Sequence, residues 1–77
     1  MTDLYPTKTR LGLLRAVDNG RVKLSHSGAI IRASSYANRR ADASTRELMQ
    51  AGWVQLGPDG GTYELTGDGR AVLDGAP

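Results

Sequence analysis

Apolar residues first recur at helical spacing just after the N-terminus, where Leu13, Leu14 and Val17 form a stripe flanked by Leu11. Thr7, directly after Pro6, is placed to cap this helix, and Asn19-Gly20 is placed to end it. Lys8, Arg10 and Arg15 are then expected in solvent. A second helical face runs through Ala41, Thr45, Leu48 and Ala51, which predicts a helix from about Asn38 or Arg39 to Ala51. Gly52 follows as a left-handed stop. Val54 and Leu56 then share one side of a strand, and Tyr63 and Leu65 share one side of another. Gly57-Pro58-Asp59-Gly60-Gly61 lies between them with turn chemistry, because proline presets the first central angle and glycine takes the positive φ. Thr66 and Asp68 mark the start of a last short helix, weakened by Gly67 and Gly69 and dependent on docking Val72 and Leu73.

Residues 21–37 admit two readings. In the first, a hairpin turns about Ser27-Gly28, with Val22, Leu24, Ile31 and Ala33 on one face and Arg21, Lys23, Ile30 and Arg32 on the other. That register sets Lys23 opposite Arg32, a like-charge pair that a phosphate would relieve. In the second, Ser25 or Ser27 caps a short helix through Ser34, with Ser35 in the turn and Tyr36 as an apolar plug. The alternation in Val22-Lys-Leu-Ser and the β-branched Ile30-Ile31 favour the hairpin. In either case the fold class is α+β, with a helix first and a hairpin near the end.

The block Arg46-Glu-Leu-Met-Gln-Ala-Gly-Trp-Val, followed by Tyr63-Glu-Leu-Thr-Gly-Asp-Gly-Arg-Ala-Val-Leu, resembles the recognition helix, wing and closing helix of winged helix-turn-helix proteins such as the MarR-like and ArsR-like bacterial regulators. The resemblance covers residues 38–74 and extends only loosely to the first half. The chain is also similar to small proteins of actinobacteria and their phages. The resemblance implies a small winged-helix domain: N-terminal helix, hairpin or short helix, recognition helix, two-stranded wing and short C-terminal helix. It favours the helical reading of residues 21–37. It also implies double-stranded DNA as the partner, with the N-terminal part of the recognition helix approaching the major groove. The expected role is that of a transcriptional, phage or mobile-element regulator acting by site occupancy. A protein-interaction adaptor built on the same scaffold is the alternative.

Charge sharpens this expectation. The net charge of +2 hides an asymmetry. Residues 8–46 hold nine basic side chains against Asp18 and Asp42, whereas residues 47–77 hold Arg70 against five acids. A basic front and an acidic rear suit a polyanion-binding face. The expected DNA-binding residues are Arg39, Arg40, Ser44 and Arg46 on the recognition helix, with Arg21, Lys23 and Arg32 beside them. One departure stands against DNA: the wing tip, Pro58-Asp59-Gly60-Gly61, carries no basic residue.

At 77 residues the chain reads as a single domain over 1–77, with 1–6 and 75–77 frayed. It has no cysteine, so disulfides and cysteine-based zinc sites are excluded. The absence of a membrane-length apolar run or an export signal leads to the expectation of a cytoplasmic protein without a membrane, monomeric or homodimeric. Enzymatic readings fare poorly, and neither catalytic residues nor cofactor are expected. The single histidine, His26, lies between Ser25 and Ser27, and neighbours on a strand point to opposite faces. The glycine-rich stretches lack the Gly-Lys-Ser/Thr of a phosphate loop. Asp59 and Glu64 fall short of a calcium loop's ligand count. Trp53, Tyr36 and Tyr63 are expected in the core.

Overall fold

The three Leu/Val positions of the first stripe fix the centre of the molecule. A computed structural model describes residues 4–34 and 37–75. Helix α1 spans Lys8–Asp18, capped by the Thr7 hydroxyl, which accepts from the Arg10 amide. It buries Leu11, Leu13, Leu14, Ala16 and Val17. Strands β1 (Val22–Leu24), β2 (Ile30–Ala33) and β3 (Asn38–Arg40) form an antiparallel sheet in that order. Helix α2 spans Asp42–Gln50. Strands β4 (Val54–Leu56) and β5 (Tyr63–Leu65) form a second hairpin, and α3 (Gly67–Asp74) closes the chain. The result is a small α+β fold with three helices and two antiparallel sheets among the described residues.

The region 21–34 is a hairpin, so the short-helix reading is overturned. The expected register also shifts by one residue. Val22 pairs with Arg32, Lys23 with Ile31 and Leu24 with Ile30. Val22 and Ile30 are therefore the buried pair, and Ile31 and Ala33 turn outward with Lys23. The turn explains the shift. The Ser25 amide bonds the Ala29 carbonyl at 2.8 Å, which encloses three loop residues, not two, and Gly28 takes a φ of +86°. A two-residue loop would have demanded positive φ at Ser27 as well.

The start of α2 departs from expectation too. Asn38, Arg39 and Arg40 are strand residues paired with Ala33, Arg32 and Ile31. The helix begins only at Asp42, whose carboxylate accepts from the Ile30 amide at 3.0 Å and from Arg40 Nε at 3.0 Å. Those bonds hold the chain in the ladder for three residues longer than the helical stripe suggests. Thr45 and Leu48 face inward as expected. The expected positions of Ser35 and Tyr36 lie outside the described residues, as do Met1–Asp3, Ala76 and Pro77 within the segments expected to fray.

The last third follows its sequence pattern closely. Gly52 adopts a φ of +80°, and Trp53, Val54 and Tyr63 are buried. In the turn, Asp59 Oδ1 accepts from the amides of Gly61 and Thr62, both at 2.9 Å. Thr66 caps α3 by accepting from the Gly69 amide at 3.0 Å, and its hydroxyl donates to the Gly52 carbonyl. Gly69 is required by close approach: a Cβ there would overlap the Trp53 carbonyl oxygen. The two sheets meet at one rung. Lys23 bridges Thr62, and the Leu24 amide bonds the Gly61 carbonyl at 2.7 Å. Across the array the strands therefore run β4, β5, β1, β2, β3.

Candidate nucleic-acid interface

The cationic residues do not form one face. The sheet sorts them onto two, because side chains alternate along a strand and directly paired residues share a side. Arg32 lies on the side of Val22 and pairs with Arg39 on β3. These two arginines therefore stand directly opposite one another. Neither side chain has a hydrogen bond or ion pair among the described residues, and like charges so placed are unfavourable.

Arg32 and Arg39 line a cavity of about 380 Å³ together with Arg10, Arg40, Ser44, Thr7, Thr9 and Glu47. Each element contributes for a local reason. The first turn of α1 brings Thr7, Thr9 and Arg10. Strands β2 and β3 bring Arg32, Arg39 and Arg40. The first turn of α2 brings Ser44, and its next turn brings Glu47. Four guanidinium groups thus surround a space with a single lining carboxylate. That carboxylate is committed: Arg10 Nε donates to Glu47 Oε1 at 2.8 Å and holds its pKa below the ordinary value. Arg10 also donates from Nη1 to the Tyr5 carbonyl at 2.8 Å. Arg40 is directed by Asp42, whose pKa is lowered first by the Ile30 amide and then by Arg40. Arg32 is half-buried and Arg39 exposed, and neither guanidinium has a carboxylate partner among the described residues.

No family model, curated protein or solved structure matches the chain. The geometry is therefore the ground for assigning the site.

Of the seven residues expected to bind, Arg32, Arg39, Arg40 and Ser44 converge on this cavity. Arg21 and Lys23 do not. They line a separate cavity with Ile31 and Asn38, on the other side of the three-stranded sheet. Arg46 lines neither of these cavities. Two residues after Ser44 on a helix, it is turned about 160° away from it. The expectation of a single face including Arg46, Lys23 and Arg21 is corrected accordingly, as is the placing of Arg39 and Arg40 on a helix. Arg10 is the residue missed from sequence. It was expected in solvent with Lys8 and Arg15, yet its side chain is only 26% exposed. The signal that could have found it is its position in the first turn of α1, close to the capping Thr7.

The turn between β4 and β5 has a structural reason for its acid. Asp59 closes the turn through two amides, which lower its pKa. Elsewhere, Asp18 pairs with Arg70 and ties α1 to α3. Among the described residues, no cluster of three or more His, Cys, Asp or Glu side chains is placed to hold a metal ion. No helix among them is long and apolar enough to cross a membrane. What the arginine cavity offers chemically is a set of planar forks suited to phosphate oxygens, with the Ser44 hydroxyl as an added hydrogen-bonding group.

Proposed function

We propose that this protein binds double-stranded DNA through the face formed by Arg32, Arg39, Arg10, Arg40 and Ser44, and acts by occupying its site. The observation that carries the reading is the opposed pair Arg32 and Arg39, two guanidinium groups retained side by side without a carboxylate partner. A phosphate between them converts a repulsion into two charge-assisted hydrogen bonds. The elements that present the pair are β2 and β3, flanked by the first turns of α1 and α2, so strands and helix starts together are the part offered to the DNA. The order α2, β4–β5, α3 supports reading this half as that of a winged helix, with the hairpin and β3 standing where a second helix would be. On this reading the wing supports the core and does not touch DNA.

The test is duplex binding across a range of salt concentrations, read by amide NMR and by fluorescence anisotropy. The double variant Arg32→Ala/Arg39→Ala is expected to weaken binding and to lower the slope of log K against log salt by about 2, since each phosphate neutralised adds roughly 0.9 to that slope. Arg46→Ala is the control and is expected to change little. A double variant that binds like the parent at every salt concentration overturns the reading. An absence of amide shifts with duplex at low salt favours the protein-adaptor alternative, which the cation-free tip Pro58–Gly61 supports.

A further inference from the structure

Arg21 and Lys23 remain outside the arginine cavity, and their surroundings are of a different kind. With Leu24, Ser25, His26, Ile31, Ala33 and Asn38 they line a cavity of about 420 Å³. Its floor is apolar, since Ile31 and Ala33 are half-buried on this side of the sheet. Its rim is cationic and polar: Arg21, Lys23 and Asn38 are exposed, and Arg21 and Lys23 make no hydrogen bond or ion pair through their side chains among the described residues. No lining residue is a carboxylate. The charge of Lys23 acts weakly on Asp59, whose oxygen is already taken by the Gly61 and Thr62 amides.

Ile31 is the unusual residue. On a sheet buried on one side, outward positions are ordinarily polar. Ile31 faces outward, paired with Lys23 on one strand and Arg40 on the other. An apolar side chain beside Lys23, with Arg21 on the same cavity, suits a ligand with a flat apolar body and an anionic edge. Duplex phosphates would gain nothing from such a floor. An extended acidic peptide would be drawn to the free edge of β3, where its backbone could pair, and not to the middle of a sheet face.

We propose that this rear face binds an unpaired nucleotide of single-stranded nucleic acid, with the base laid on Ile31 and Ala33 and the phosphate held by Arg21 and Lys23. Asn38 at the rim offers amide groups to the base edge. The proposal shares with the duplex reading only the class of ligand. It uses a different face and different residues, so the two stand or fall separately.

The experiment is an amide NMR titration of the full chain with a short oligothymidylate, with inorganic phosphate and an alternating Glu-Leu peptide as comparison probes. The oligonucleotide is expected to shift amides at 21–26, 31, 33 and 38, and to bind at least about tenfold more tightly than phosphate. Arg21→Ala/Lys23→Ala and, separately, Ile31→Ser should each weaken the oligonucleotide about tenfold while leaving duplex affinity nearly unchanged. The first variant alters only exposed side chains, so it decides the matter even if Ile31→Ser fails to fold. Phosphate binding as tightly as the oligonucleotide, shifts confined to Arg32 and Arg39, or tighter binding of the peptide would each overturn the proposal. Oligonucleotide binding at the rear face without any duplex binding would sustain it and remove the front-face reading instead.

Discussion

The strand array has two ends, and they treat charge in opposite ways. At one end, β3 exposes Asn38, Arg39 and Arg40, and the opposed Arg39 and Arg32 find no internal partner among the described residues. At the other, the hairpin of β4 and β5 turns its charges on itself. Asp59 builds the turn, Glu64 accepts from Gln55 across the strands, and Arg70 of the adjoining α3 pairs with Asp18. Both ends are short antiparallel ribbons on one core. The difference indicates which end the fold needs and which end it leaves available: charges that satisfy each other hold structure, and charges left opposed are open to a ligand.

The sharpest way to break this comparison is at the structural end. Gly69→Ala is expected to cost about 3 kcal/mol or more, because the new methyl group would meet the Trp53 carbonyl, a backbone atom without freedom to move. Gly67→Ala, two positions away in open space, should be neutral or slightly stabilising. Urea melts of the two variants side by side check this, and equal stability would show that α3 does not seat as described.

Acid should act in the same direction. Asp18, Asp42, Glu47 and Asp59 are held below their ordinary values of 3.8 for Asp and 4.5 for Glu, by Arg70, by the Ile30 amide, by Arg10 and by the turn amides respectively. A carboxylate with a depressed folded pKa contributes stability above its ordinary value and loses it as pH falls through the folded one. Thermal melts should therefore be steady from neutral pH to about 5 and decline below about 4. Asp59→Asn should flatten part of that decline, and no substitution of Arg32 or Arg39 should.

Smaller effects sharpen the contrast. Thr45 is fully buried on α2, and its hydroxyl has no hydrogen-bond partner among the described residues. Thr45→Val should raise stability by about 1 kcal/mol in a denaturant melt, without changing duplex binding. Arg39→Gln should raise stability by about 0.3 kcal/mol at low salt, by relieving its repulsion with Arg32, while weakening DNA binding. A stabilised variant with intact DNA affinity would show that the opposed pair is not kept for a ligand.

Much of the fold was legible where one residue type answers one geometric need. Thr7 and Thr66 cap, Gly52 turns left-handed, and Pro58-Asp59-Gly60 makes a turn; each carries its reason in its side chain. The middle was harder for equally physical causes. Ile30 and Ile31 are the same residue on opposite faces, so hydrophobicity could not choose between them, and the choice fell to a loop one residue longer than the shortest hairpin. Asn38-Arg39-Arg40 has no strand pattern, because an exposed edge strand needs none. Ala41, at the start of α2, offers no side-chain cap, and the Asp42 carboxylate that anchors this end bonds to a distant amide. The cationic character of the site was visible in composition. Its division between two faces was not, since that depends on the register.

The single rung from Lys23 to Thr62 joins the two sheets, with the Leu24 amide beside it. A seam that narrow confines the effects of change. The β3 edge can gain, lose or reverse charge with no adjustment required in the β4–β5 turn, because almost nothing but the shared core passes between them. The molecule thus has an end that tolerates little change and an end that tolerates much. Variants that keep Gly52, Asp59, Thr66 and Gly69 while altering 32, 39 and 40 should yield proteins of one shape with different targets.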